Sequence, residues 1–170
     1  RPFFLTQLLG AFNDNLFKNA LVVLLTFQAA SWTTIAPALL ANLAAGIFIL
    51  PFFLFSATAG QLADKYDKAH LTRLVKGLEV TIMLIALAGF VGHSLAVLLG
   101  ALFLLGCHST LFGPVKYALL PQHLHEDELV GGNALVEAGT FVAILLGTLA
   151  GGLLAGAAHG ELWIAGAGLV

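Results

Sequence analysis

Apolar stretches approaching 20 residues recur along this chain, and each is long enough to cross a bilayer as a helix. The hydrocarbon interior offers no water to backbone amides, so spanning segments fold as helices or as closed barrels. A barrel would show short strands alternating apolar and polar residues, and nothing here alternates that way. An all-α membrane protein is therefore predicted. Composition agrees: 59% of residues are hydrophobic and 9% charged, with 19 glycines and a mean hydropathy of +0.98, outside the soluble globular range. A cleavable signal peptide does not account for the apolar runs, because there are several.

The runs predict six helices, over about 3–27, 39–63, 75–91, 95–119, 129–157 and 162–170, the last cut off by the chain end. Pro51 is expected to kink the second. Gln28–Thr34 is an uncharged loop, and Gln122–Glu128 lies in a polar, acidic one. The chain starts at Arg1 without methionine and stops at Val170 inside an apolar run, so a fragment of a longer protein is expected.

Charge concentrates in Gly60–Lys68, "GQLADKYDK", between the second and third helices. Lys65, Lys68, Arg73 and Lys76 all fall in that connection, whereas the connections on the other side hold no Lys or Arg. The positive-inside rule puts this loop in the cytoplasm, with the amino terminus and Gln122–Glu128 beside it. The acids need another reason, since Asp64 and Asp67 contribute little to topology. Gly60 would admit a neighbouring helix closely. Asp64 would accept hydrogen bonds from amides at a helix start. Lys65 and Arg73 would pair with acids of other helices. Together these residues would latch the cytoplasmic side; the plainer alternative is a solvated loop that anchors topology.

The net charge of −2 points to no partner, and the basic residues are not interleaved with exposed aromatics as nucleic-acid binding would require. A single cysteine, Cys107, excludes an internal disulfide and a cysteine-only metal site. His123 and His125 lack the spacing of a helical metal pair. No cofactor or metal is expected.

"GQLADKYDKAHL" resembles the loop motif of the major facilitator superfamily, matched at Gly60, Asp64, Lys65 and Lys68, with Asp67 for the usual glycine and Ala69 for a usual basic residue. "LLGAFNDNLFKNALVVLLTF" (8–27), "GCHSTLFGPVKYALLPQHL" (106–124) and "ELVGGNALVEAGTF" (128–141) resemble the bacterial lysophospholipid transporter family within it. The resemblance implies the amino-terminal six-helix half of a twelve-helix carrier that rocks its halves around a midplane site. It implies a flippase-like activity moving lysophospholipids such as lysophosphatidylethanolamine to the inner leaflet of the bacterial inner membrane. Reacylation would follow, by an acyltransferase that some members carry fused. "GTLAGGLLAG" (147–156) lacks the proline of the superfamily's antiporter signature, which argues against proton-coupled drug export.

Ionisable groups within spanning helices cost about 2.5–3.5 kcal/mol each on insertion scales and usually face a cavity or a partner. Asp14 and Lys18 lie four apart on one helical face, flanked by Asn15 and Asn19. They form either an internal ion pair or a polar stripe along a central cavity. On the second reading Asp14 would meet the ammonium of a zwitterionic headgroup, and Lys18 or Lys116 its phosphate. Lys116 would otherwise snorkel to the interface. Glu137 serves substrate, an interhelical bond or a basic residue of the latch, His108 substrate or packing, and Glu79 would pair with Lys76 or Arg73. Gly147, Gly151 and Gly156 suit tight packing. Phe52, Phe53 and Phe55 face lipid or the core.

Two other functions stay open: a facilitator for another small substrate, or the membrane anchor of an acyltransferase. Acyltransferases of that kind use His-x4-Asp. No histidine here has an aspartate at that offset, where His123 meets Glu128, so no catalytic chemistry is expected within the segment.

Overall fold

In the computed structural model, residues 2–28, 33–157, 164 and 166 are described. Among them are five helices: α1 (Pro2–Phe27), α2 (Pro37–Lys65), α3 (Lys68–Val91), α4 (Leu95–Leu119) and α5 (Leu129–Ala155). Single 3-10 turns, Leu120–Gln122 and Glu126–Glu128, link α4 to α5. All five are long and apolar enough to cross a membrane. Of the sixth expected helix only Ile164 and Gly166 are described; the rest lies outside the described residues.

Local chemistry explains the helix starts. Pro37 opens α2 at a position where its missing N–H costs nothing. The Asp67 carboxylate accepts from the His70 amide at 2.8 Å and starts α3. Ser94 Oγ accepts from the Val97 amide at 3.4 Å and starts α4. Glu128 accepts from the His125 amide at 3.0 Å and closes the turn before α5. His93, with φ of 48°, takes the left-handed position that lets α3 reverse tightly into α4.

These caps correct the sequence reading. The third helix begins at Lys68, seven residues before the expected Val75, so the charged loop shrinks to Tyr66–Asp67. Lys68, His70, Arg73 and Lys76 stand on the first turns of α3. Charge was a poor marker of the boundary, because a helix projecting past the hydrocarbon carries charged residues freely. The expected backbone-capping acid was Asp64; Asp67 does that work. The second helix is longer at both ends than 39–63, and α5 stops at Ala155, two residues short. Helical geometry continues through Pro51.

α1 packs along α5, α2 along α4, and α3 along α4. The core joins Leu16, Phe17, Leu21 and Leu25 of α1 to Met83 and Phe90 of α3 and Leu98, Leu102 and Leu105 of α4. Phe17 meets Phe90 edge-on, ring centroids 6.1 Å apart. In lipid there is little hydrophobic drive between helices, so close backbone approach supplies the packing. Gly147 and Gly151 provide it: a Cβ at Gly147 would meet the Phe12 carbonyl oxygen at 2.5 Å, and one at Gly151 would run into the Leu16 carbonyl. Gly106 does the same for α4 against the Phe48 carbonyl of α2. Gly60 does not: nothing lies within 4 Å of a Cβ there, so the expected close approach at the latch is absent among the described residues. Phe53 and Phe55 point outward, Phe53 with 85% of its surface exposed.

Gly151→Ala should therefore lower the thermal unfolding midpoint of the full-length protein in detergent, through an overpacking cost of about 1–3 kcal/mol. Gly60→Ala should leave the midpoint unchanged or raise it, since alanine is the better helix former by about 1 kcal/mol.

Candidate functional site

A cavity of about 360 Å³ opens between α1, α2, α4 and α5. Helical spacing builds its walls. Gln7, Ala11, Asp14 and Lys18 form one stripe of α1, and Ser109, Gly113 and Lys116 one of α4. Phe48 and Phe52 of α2 close one side. Asp14, Asn15, Lys18, His108 and Lys116 all line this space. Glu137 is not among its lining residues.

Asp14 and Lys18 share the cavity without pairing to each other. Asp14 turns toward α4, where its Oδ2 accepts from Ser109 Oγ and its Oδ1 lies 4.0 Å from His108 Nδ1. Lys18 Nζ donates to Asn15 Oδ1 at 3.0 Å and sits 4.9 Å over the Phe48 ring. Asn19 leaves the stripe and donates to Thr148 of α5 at 3.1 Å. The cavity is thus lined by one carboxylate, held by Ser109, and one ammonium, held by Asn15.

Lys116 supplies a second ammonium. It is 3.3 Å from Glu137 Oε1 and 3.5 Å from Thr140 Oγ1. Tyr117 also donates to Glu137. Thr140 in turn donates to Gln7 Oε1 at 3.0 Å, tying the group to α1. Glu137, with 41% of its side chain exposed, thus serves as the partner that aims Lys116.

Behind Asp14 lies a second cluster. Glu79 is buried, only 7% exposed. It accepts from Asn13 Nδ2 at 3.0 Å and from Lys76 Nζ at 2.5 Å. His108 Nε2 is 3.4 Å from Oε2, the oxygen that also accepts from Lys76, within ion-pair reach but outside hydrogen-bond geometry. Gly10 leaves the space that the Lys76 ammonium fills. Lys76 also lies 4.9 Å over Phe112, on which His108 stacks. The Lys76–Glu79 pair was legible as an i,i+3 spacing. The depth of Glu79 was not, because α3 was expected to start at Val75; from Lys68, Glu79 is three turns in. Asn13, a polar residue mid-helix, was the available signal for a partner.

The latch candidates are not brought to acids of another described helix. Asp64, Lys65 and Arg73 are exposed. Lys68 Nζ reaches only the Asp64 backbone carbonyl, at 3.3 Å, and Lys65 lies over its neighbour Tyr66. Arg73 lines a larger, mostly apolar cavity with Phe3, Phe4, Leu119 and His123.

Comparison with known proteins gives the family. A family profile described as "Transmembrane secretion effector", of the major facilitator type, matches residues 7–168. The lysophospholipid transporter LplT of Cronobacter sakazakii is 33% identical over 172 residues, covering 96% of this chain and 39% of that protein. The LplT of Salmonella newport is 33% identical over 153 residues, 88% of this chain and 34% of its own length. That of Salmonella paratyphi A is 35% identical over the same span. The chain therefore spans a little over a third of the length of these curated relatives. No solved structure matches. With five apolar helices of spanning length and a profile match over nearly the whole chain, the protein is a multi-pass membrane protein of the major facilitator superfamily and belongs to its transmembrane secretion effector family.

Proposed function

We propose that this chain forms the amino-terminal six-helix half of a carrier for lysophospholipids such as lysophosphatidylethanolamine, moving them across the bacterial inner membrane by alternating access. One observation carries the reading: a single cavity is lined by the Asp14 carboxylate and by the ammonium groups of Lys18 and Lys116. A zwitterionic headgroup needs an anion for its ammonium and a cation for its phosphate, and charge-assisted bonds are the strong ones. The name lysophospholipid transporter, borne by relatives about a third identical, points the same way.

The distribution of basic residues supports an orientation. Lys65, Lys68 and Arg73 cluster where α2 meets α3, and by the positive-inside rule that end and the start of α1 would lie in the cytoplasm. Gly60, Asp64, Lys65, Lys68 and Arg73 would close that side against the carboxy-terminal half of the carrier. Asp64, Lys65 and Arg73 are exposed, and no described helix beyond α2 and α3 meets their charges, which supports a role completed elsewhere in the protein. The segment would do no chemistry itself, and reacylation falls to an acyltransferase, fused or separate.

Uptake of labelled lysophosphatidylethanolamine by spheroplasts expressing the full-length protein tests this. Asp14→Ala should cut uptake about 10–100-fold at unchanged membrane level, the equivalent of one charged hydrogen bond of about 1.5–3 kcal/mol. Native protein that moves no lysolipid above background would refute the reading. Lys116→Met should weaken uptake of ethanolamine and glycerol lysolipids alike, because the phosphate is common to both. Competition assays with the two headgroups would show a selective loss if Lys116 met the headgroup end instead.

A further inference from the structure

The cavity that Arg73 lines has no part in the site above. It measures about 760 Å³, within the range of about 300–1,000 Å³ usual for ligand pockets. The first turns of α1, α3 and α5 and the end of α4 build it, so it lies at one end of the bundle. Phe3, Phe4, Leu119, Leu135 and Val136 make its walls apolar. Leu135 is 60% exposed, so the cavity opens to the outside of the bundle.

Its polar side chains are spent, with one exception. Thr6 Oγ1 donates to the Pro2 carbonyl at 3.0 Å, and Thr72 Oγ1 to the Lys68 carbonyl at 2.8 Å. His123 Nδ1 is held by the Leu119 carbonyl at 3.0 Å. Arg73 has neither a hydrogen bond nor an ion pair among the described residues. Lys76, one turn further along the same face of α3, takes the buried Glu79 and leaves Arg73 over. No Asp or Glu is among the described residues that line the cavity. An ammonium headgroup would therefore meet only like charge here, whereas the other cavity offers it Asp14. A phosphate would meet a planar fork of N–H donors that matches it bidentately. Basic pockets between spanning helices, at the level of the membrane surface, suit such headgroups.

We propose that this cavity binds an acidic phospholipid of the surrounding bilayer, of the phosphatidylglycerol type, with an acyl chain among Phe3, Leu119 and Leu135 and its phosphate on Arg73. Bilayer lipid is the solvent of the five spanning helices, so it has direct access to a cavity that opens outward. The lipid is a resident of the fold and not its cargo. It gives Arg73, one member of the latch proposed above, a lipid phosphate as partner in place of an acid of the carboxy-terminal half. Gly60, Asp64, Lys65 and Lys68 do not line the cavity and keep their place in the latch.

The test uses full-length protein in phosphatidylethanolamine vesicles containing a trace of phosphatidylglycerol with a diazirine in one acyl chain. After irradiation, labelled residues would be mapped by peptide mass spectrometry. Labelling is expected within 2–6, 119–124 and 132–136, and unlabelled phosphatidylglycerol should compete it away. Arg73→Gln should lower it about fivefold, the worth of one basic group against an anionic lipid. Arg73→Lys, which keeps the charge without the fork, should restore part of it. Ala69→Trp, at an exposed position lining the cavity, should block labelling by filling the space while Arg73 stays in place. Phosphatidylethanolamine with the same diazirine chain should label these segments no more than it labels the exposed Phe53. Equal labelling by both lipids overturns the acidic preference and the role of Arg73 with it. Labelling that persists in Arg73→Gln overturns the phosphate contact and returns Arg73 to the latch. Labelling no stronger than at Phe53 overturns the site and shows that protein covers this face. Displacement by lysophosphatidylethanolamine as readily as by phosphatidylglycerol overturns the resident lipid and makes the cavity part of the cargo's route. The carrier reading is tested apart from all of these, by uptake.

Discussion

A carboxylate deep in an apolar helix bundle has to be met by cations or donors, and Glu79 is met from three helices. Asn13 reaches it from α1, Lys76 from its own α3, and His108 approaches from α4. Each contact fixes a rotation of its helix as well as a distance. With α1 turned so that Asn13 faces Glu79, the next residue, Asp14, faces α4 and the cavity. With α4 turned so that His108 faces Glu79, Ser109 meets Asp14. The open face of the site is therefore set by a buried contact behind it. Small residues set the opposite wall: Gly147 and Gly151 draw α5 onto the backbone of α1, which brings Thr140 within reach of Gln7 and Lys116. Neither device depends on hydrophobic contrast, which a lipid solvent does not supply between helices.

Much of this was legible from the amino-acid sequence, for a physical reason. Hydrocarbon permits few spanning structures, so the lengths of apolar runs translate almost directly into helices, and α1 and α4 fall where those runs predict. Charges inside such runs are expensive enough to be conspicuous, and Asp14, Lys18, His108 and Lys116 do line one cavity. Legibility failed where helices leave the apolar phase. A charged residue beyond the hydrocarbon is equally at home in a helix or a loop, and the start of α3 was placed seven residues late as a result. That slip hid Glu79, which looked like a residue of a helix end.

Pair choice was the other blind spot. Spacing puts Asp14 and Lys18 on one face, but it cannot weigh a partner on the same helix against partners across the bundle. Ser109 and His108 claim Asp14, and Asn15 and Phe48 claim Lys18. Of the roles left open for Glu137, substrate or an interhelical bond, spacing could not choose; it meets Lys116 and Tyr117.

The two-residue link between α2 and α3 has a mechanical consequence. Tyr66 and Asp67 leave no slack, and Asp67 is spent on capping α3. The ends of the two helices must therefore travel together. A helix of 29 residues is about 44 Å long at a rise of about 1.5 Å per residue, so tilting α2 by roughly 10° about its far end would carry its tip roughly 7–8 Å. Asp64, Lys65 and Lys68 ride on that tip as one stiff lever head, so a small reorientation in the bundle becomes a large displacement of fixed charge at its edge.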